Sequence, residues 1–433
     1  MDRRLQRRYL ILVEAHCKAA SELAAGVGHT ANAGDAWTAA QGAWRFLNNK
    51  RVRLDELIEP LREAGRHAIV EEQRSAHAPG CAILVHDWSK LDYRRHTSKK
   101  DVVQLTHETD IGYELTTALL VSAANGSPLA PMEMHVKTKD GLLSTRNPAP
   151  PADEHRLEQI LDTMDASHTW GLSVPLVHII DREADSVGHF RQWHAAGHLF
   201  LVRGDDRKVR WNGKRMLLSE VVKQLADDEK FHRSRPVEIR GRKATQYVAE
   251  TEVVLDAPAK QMRDGRKQSI PGPALPLRFI AVRVLDDDGK VLAEWYLLTN
   301  VPAELADSDR IALWYYWRWR IESFFKLLKG GGQQLEHWQQ ETGMAIARRL
   351  LIASMACVVA WRLERQTTPE AEDLKRVLIK LSGRLTKKSR PVTASALLAG
   401  LYVMLSFQTL LDHYCVEDLQ KLLSLAIPWL DTT

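Results

Sequence analysis

Residues 314–332, W-Y-Y-W-R-W-R-I-E-S-F-F-K-L-L-K-G-G-G, constrain this chain more than any other stretch. Read as a helix at ~100° per residue, they gather Tyr315, Arg318, Glu322, Lys326 and Lys329 within an arc of roughly 80°. Much of the remaining surface is Trp314, Trp317, Ile321, Phe324, Phe325 and Leu328. A helix that is apolar outside one polar stripe is a buried helix, so the stripe is expected to line a cleft. One carboxylate among three cations and a phenol suits a site that holds a metal ion beside phosphate groups. The plainer reading is an exposed face laced by Arg318–Glu322 and Glu322–Lys326 pairs, each worth ~0.3 kcal/mol. The aromatic girdle argues against that, as does Gly330-Gly331-Gly332, which ends the helix and admits another backbone.

A chain of 433 residues exceeds one ordinary core, so two or three domains are expected. With 45% hydrophobic and 27% charged residues the composition is that of a globular protein, not a disordered one. The net charge of +5 permits nucleic-acid binding without demanding it. Local clustering says more, with basic residues concentrated in 1–8, 203–243 and 375–390. Cys17, Cys81, Cys357 and Cys415 are far apart and form no C-x-x-C pair, which predicts reduced thiols and a cytoplasmic protein. No run is expected to span a membrane, and the first residues are not a signal peptide. His107-Glu108 lacks the second histidine of a zinc protease.

Periodicity divides the chain into four regions. Residues 1–75 read as helices broken by a polar segment at 26–34, and 37–48 are helical. Residues 76–203 switch to strands: 82–86 ends at Asp87, and 114–123 and 129–136 flank the hairpin signal Asn125-Gly126. A helix over 153–167, an apolar strand over 174–180 ending at Asp181, a helix over 183–195 and a strand over 198–202 follow. This is the element order of an RNase H-like sheet, in which the first and fourth strands lie side by side and parallel. The carboxyl ends that carry Asp87 and Asp181 would then be neighbours. Residues 204–294 read as a β-rich insertion with basic stretches, and the core resumes over 295–340. Residues 341–433 are helical, with a basic linker at 384–391. The apolar segments 344–361 and 394–411 carry more hydrophobic surface than a monomer should tolerate, which predicts a dimer surface there.

Each acid has a structural alternative. Asp181 and Asp185 could simply cap the helix that follows, and Asp87 could start a turn. Together, two aspartates on adjacent parallel strands and a glutamate on a helix behind an insertion make a three-carboxylate cage of hard oxygen ligands. Mg²⁺ prefers such ligands, and two ions bridged by a shared aspartate can hold both sides of an in-line phosphoryl displacement.

The order Y-x-x-R-x-x-x-E-x-x-x-x-x-x-K at Tyr315, Arg318, Glu322 and Lys329 resembles the motif of the insertion-sequence-four family of bacterial DDE transposases. D-R-E-A-D at 181–185, S-K-L-D-Y-R after Asp87 and A-W-R-F-L-N-N-K-R-V at 43–52 extend the likeness over nearly the whole chain. The resemblance implies a catalytic, metal-ligating triad of Asp87, Asp181 and Glu322, working with Mg²⁺ or, in substitution, Mn²⁺. It implies that Trp295, in E-W-Y-L-L-T-N, stacks on a base flipped out of double-stranded DNA, where aromatic stacking offsets the cost of extrusion. Tyr315, Arg318, Lys326 and Lys329 would hold the adjoining phosphate, Arg through its planar fork and the lysines as point charges. With 13 tryptophans in the chain, a core position for Trp295 is the competing reading. The family further implies cut-and-paste DNA transposition through a hairpin intermediate, with a homodimer on paired element ends. Trp88 departs from the pattern, standing where relatives carry a small hydroxyl residue. Two other functions fit the same residues: a structure-selective Mg²⁺-dependent nuclease, and a non-catalytic DNA-binding regulator descended from a transposase.

Overall fold

The computed structural model describes residues 1–17, 33–76, 78–151, 156–239, 241–263, 266–383 and 392–426. Most of the expected break at 26–34 and the basic linker at 384–391 lie outside these residues. The chain opens with helices α1 (Arg3–Cys17), α2 (Ala33–Leu47), α3 (Leu54–Leu57) and α4 (Glu59–Gln73). In α1 the buried positions are Tyr9, Leu12, Val13, His16 and Cys17, a stripe of helical period, whereas Leu10 points outward.

A mixed α/β region follows: β1 (Ala82–Asp92), β2 (Val103–Gln104), β3 (Ile111–Val121), β4 (Pro128–Thr138), β5 (Gly141–Ser144), α5 (Gln159–Ser167), β6 (Leu176–Ile180), α6 (Val187–Ala195) and β7 (Leu199–Gly204). Next come β8 (Lys208–Trp211), β9 (Lys214–Leu217), α7 (Leu218–Asp227), β10 (His232–Ile239), β11 (Arg242–Leu255), β12 (Ala259–Arg263), β13 (Arg266–Ile270), β14 (Leu275–Leu285) and β15 (Val291–Thr299). The described strands form one 13-stranded sheet of order β5-β4-β3-β1-β6-β7-β15-β14-β11-β8-β9, with β2 and β10 paired to β3 and β11. β12 and β13 make a separate ribbon. The strands of residues 208–285 therefore extend the same sheet through β14 and β15, apart from that ribbon.

β1 pairs antiparallel with β3 and parallel with β6, as the element order predicts. Two details differ. β1 does not stop at Asp87 but runs on to Asp92, because its antiparallel pairing with β3 continues after its parallel pairing with β6 ends at Val85–Ile179. The helix expected from 153 begins at Gln159, and 152–155 lie outside the described residues.

The carboxyl-terminal part contains α8 (Ser308–Trp317), α9 (Trp319–Lys326), α10 (Gly343–Arg365), α11 (Pro369–Leu381), α12 (Ala394–Leu411) and α13 (Val416–Ala426). α10 is long and apolar enough to cross a membrane by length and composition, contrary to the sequence expectation. It is instead a core helix, packed on β4 and against α1, α4 and α12. The surplus hydrophobic surface expected on 344–361 is thus largely buried. The exposed apolar residues of this part lie mainly further on, at Val403, Met404, Phe407 and Leu411 of α12 and Leu422 and Leu423 of α13.

Candidate active site

Register sets the first two acids side by side. Val85 is level with Ile179 across the β1–β6 pair, so two residues further on Asp87 and Asp181 stand at the same height. There β1 loses its parallel neighbour, and the Arg318 guanidinium stands against both acids. Asp181 leaves its strand as the cap of a 3₁₀ turn, its Oδ1 accepting from the Arg182 N–H at 2.7 Å. The capping role and a place in the site coexist, since Oδ1 also accepts from the Tyr315 hydroxyl at 3.2 Å.

The third acid arrives on α9. The sequence predicts one regular helix over the motif, but the structure tightens it at Arg318. The Arg318 N–H donates to the Tyr315 carbonyl and the Ile321 N–H to that of Arg318, both i→i+3 bonds. After Lys326 the helix widens into a π turn over Leu327–Gly331 before Gly332 ends it. The apolar girdle is buried as expected: Trp314, Trp317, Ile321, Phe324, Phe325 and Leu328 all face the core. Two contacts pin α8 to the β3–β4 turn. The Trp314 indole donates to the Ala123 carbonyl at 3.1 Å. The Trp317 ring lies against Gly126, where a Cβ would meet it at 2.4 Å and φ is +72°. Only glycine meets both demands.

Arg318 ties the site together. Its Nη1 donates to Asp87 Oδ2 at 2.9 Å, and Nη2 lies 3.4 Å from Asp181 Oδ2 and 3.3 Å from Glu322 Oε1. The Arg318 side chain is 5% exposed, while Asp181 and Glu322 keep 35% and 30%. The guanidinium is therefore the floor, with Asp87 largely buried beside it at 15% exposure and Asp181 and Glu322 forming the rim. Among the described residues no three acidic, histidine or cysteine side chains stand close enough to share one metal ion. The expected closed cage is thus an open one, spread around a guanidinium. Its donors still fit a hard divalent cation: all are carboxylate oxygens, three of them against one fixed positive charge, with the rim toward solvent. The Thr117 hydroxyl, cross-strand partner of Asp87, is buried with no partner among the described residues.

Burial raises the Asp87 carboxyl to about 6. Arg318 opposes that shift and the Asp181 and Glu322 charges add to it. Burial works against the charge on Arg318, but Asp181, Tyr315, Asp87 and Glu322 outweigh it and hold the guanidinium firmly protonated. Burial and the Asp181 charge likewise keep the Tyr315 phenol protonated, as a donor.

The other expected residues are distributed around this centre. Trp295 is half-buried on β15, with its ring 6.3 Å from that of Tyr315 and tilted 55° to it. It opens onto a cleft of about 870 Å³, lined also by Trp319, Tyr316, Arg320, Glu238 and Arg242. Lys329 is turned toward β1, where its Nζ donates to the Lys90 carbonyl and lies 3.2 Å from Glu336. Lys326 is exposed and lines a second cavity on the other flank of α9. Asp185 is drawn inward, accepting from the Asp205 N–H and pairing with Arg207 at 3.2 Å, so it braces the loop after β7. Trp88 lies under Arg156, at 4.4 Å, and Arg156 bridges Glu114 and Glu183.

Sequence reading missed two contributors. Trp319 is 51% exposed in the cleft, with the Arg318 guanidinium 5.5 Å from its ring. At ~100° per residue it falls beside the polar stripe, a signal that its apolar character masked. Arg235 of β10 stacks over Tyr316 at 5.0 Å and so draws the β10–β11 hairpin over the cleft. No sequence pattern marks that long-range contact.

Residues 130–359 match the transposase DDE domain family, more than half of the chain, and the chain belongs to that family. The match includes Asp181 and Glu322 and begins after the strand that carries Asp87. The chain is also similar to a piggyBac transposase, seen by cryo-electron microscopy in a synaptic complex with hairpin DNA. The identity is 12% over 80% of this chain and 57% of that one, with a TM-score of 0.30. The chain thus spans little more than half the length of that relative.

Proposed function

We propose that this chain is a cut-and-paste DNA transposase of the insertion-sequence-four type, with an RNase H-like core and Asp87, Asp181 and Glu322 as its catalytic residues. The observation that carries the reading is Arg318, a buried guanidinium at the centre of the helix motif that touches all three acids. A surface i,i+4 pair would need no such convergence from three separate elements.

Asp87, Asp181 and Glu322 would hold the Mg²⁺. Such an ion would supply positive charge that acidifies a water or a 3′-hydroxyl and offsets negative charge on the oxygens of the attacked phosphate. Arg318 aligns the carboxylates and keeps a positive floor under the reacting phosphate. Tyr315 orients Asp181 through its hydroxyl. Trp295 and Trp319 offer faces for an unstacked base within the adjoining cleft, and Arg242 and Arg320 border it with positive charge. On DNA carrying the inverted repeats that flank the reading frame, Mg²⁺ should yield a nick, then a hairpin, with neither product in chelator. Linear cutting that never gives a hairpin on denaturing gels would favour the structure-selective nuclease.

The Asp87 environment makes a pH prediction. Its carboxyl is raised above its ordinary 3.8 to about 6, so the stability that its neutral form contributes is complete below 3.8 and is lost as pH rises through about 6. In metal-free buffer Asp87→Asn, which cannot ionise, should melt higher than wild type at pH 7.5, with the gap narrowing toward pH 5. Cleavage needs the ionised form, so its acid limb at low Mg²⁺ should bend near pH 6 and move lower as Mg²⁺ competes with the proton. A melting gap independent of pH, or a limb that ignores Mg²⁺, would remove Asp87 from this role.

Assembly makes another. The exposed apolar residues of α12 and α13 are proposed as the surface that pairs two protomers on two ends. Truncation after Ser389 should leave single-end complexes in gel shifts and abolish paired-end ones. Persistence of paired complexes would place the dimer surface elsewhere.

A further inference from the structure

The parallel pairing of β1 with β6 ends at Val85 and Ile179, yet Asp87 and Asp181 both lie past that point. On the side of the acids, Arg318 spans the gap. The oxygens it holds are those a divalent cation would need, so its grip has to loosen when the site is filled. A second guanidinium spans the same gap and touches neither acid.

Successive residues of a strand point to opposite faces, so Trp88 faces away from Asp87. Trp88 is level with Thr116 of β3, and Glu114 of β3, level with Lys90, shares its face. Arg156, in the turn before α5, rests its guanidinium 4.4 Å from the centre of the Trp88 ring. Its Nη1 donates to Glu114 Oε2 at 2.7 Å and its Nη2 to Glu183 Oε2 at 2.8 Å. Glu183 belongs to the 3₁₀ turn that Asp181 caps. The fork therefore reaches from β3, across the back of β1, to the turn that follows β6.

This arrangement needs an arginine, whose flat plate can stack on a ring while donating at both ends; lysine brings one point charge. It also needs a ring at 88, since a small hydroxyl residue there would offer no face. The Glu114 end is the firm one, with its side chain 10% exposed, whereas Glu183 at 56% is open to water. An exposed pair of that kind holds little alone, and the ring keeps the plate between its two partners.

We infer that Arg156 and Trp88 are positioning residues, a clamp on the reverse of the sheet that keeps Asp87 and Asp181 at the spacing a divalent cation requires. This rests on the transposase reading and adds to it what fixes the first two acids once Arg318 loosens. Because the clamp takes no acid oxygen from the site, it does not compete with the metal.

The test uses the full-length protein, DNA-free for metal binding and with end DNA for cleavage. Mn²⁺ affinity is read from the electron paramagnetic resonance of free Mn²⁺, and cleavage is followed over a range of Mg²⁺. Arg156→Lys keeps the charge and loses the fork, while Trp88→Ala loses the face. Each should weaken Mn²⁺ binding about tenfold, the low end for groups that support metal ligands, because they act one contact further out. The Mg²⁺ needed for half-maximal cleavage should rise about tenfold too, with the rate at saturating Mg²⁺ within about threefold of wild type. Trp88→Phe, which keeps a ring, should retain most of the affinity. The double variant Arg156→Lys/Trp88→Ala should be little worse than either single one, since both cut the same link. Glu183→Ala removes one end of the fork at an exposed side chain, so it leaves the fold intact and should give a smaller loss in the same direction.

Wild-type Mn²⁺ affinity in Arg156→Lys and Glu183→Ala would overturn the inference. So would a lower melting temperature or saturated rate with the Mg²⁺ requirement unchanged, the mark of a merely structural role. Either result leaves the three acids as the metal site. Mn²⁺ binding that is absent from wild type, or that survives in Asp87→Asn, would instead bring down the metal-site reading, and the clamp with it.

Discussion

Asp87→Asn, Asp181→Asn and Glu322→Gln should each reduce Mg²⁺-dependent cleavage by roughly three orders of magnitude or more, about 4 kcal/mol in the barrier. Each substitution keeps shape and removes one anionic oxygen donor. DNA affinity should change little, because it comes mainly from phosphate contacts elsewhere on the surface. The site gives a reason for the uniform effect: all three acids meet at Arg318, so losing any one leaves the guanidinium less balanced and a metal with fewer donors. Near-normal cleavage by any one purified variant would take that residue out of the site. Binding lost in parallel with cleavage would point to misfolding, which circular dichroism and the melting temperature would reveal.

Trp295→Ala should act at a different step. First nicking needs the carboxylates and a water, whereas bending a strand back on itself needs a base held out of the stack. The loss of one stacking face is worth roughly 1–3 kcal/mol, about ten- to hundredfold in rate, and should fall chiefly on hairpin formation. Nicked DNA should then accumulate on denaturing gels. An abasic nucleotide at that position should partly restore the hairpin, because the cost of unstacking is already met. Equal slowing of both steps without rescue would make Trp295 a packing residue, supporting Tyr315 across their 6.3 Å contact.

What was legible in the sequence was whatever a short period or a local pattern encodes. The buried girdle around Trp314 and Phe324, the strand that leads to Asp181 and the hairpin signal at Asn125-Gly126 each follow from neighbours in the chain. The placement of Asp87 beside Asp181 followed from element order alone. The central position of Arg318 did not, because a helical wheel shows that it shares a face with Glu322 but not that Asp87 and Asp181 meet it there. Trp319 was hidden by its type, since a tryptophan beside a polar stripe reads as core. The end of β1 was misjudged because Asp87 looks like a strand terminator, and only cross-strand pairing with Thr117 and its successors carries the strand on to Asp92. α10 has the length and composition of a membrane span, contrary to expectation, but its apolar surface is spent mainly on β4, α1 and α12.

The central claim is that one metal-dependent site in this chain both cuts and joins DNA. It is tested most directly by incubating the purified protein with Mg²⁺, a supercoiled plasmid and end-labelled DNA carrying the inverted repeats that flank its reading frame. The account predicts labelled 3′ ends covalently joined to the plasmid, with short direct duplications at the junctions on sequencing. Cleaved ends that are never joined, or bound ends that are never cleaved, would contradict it.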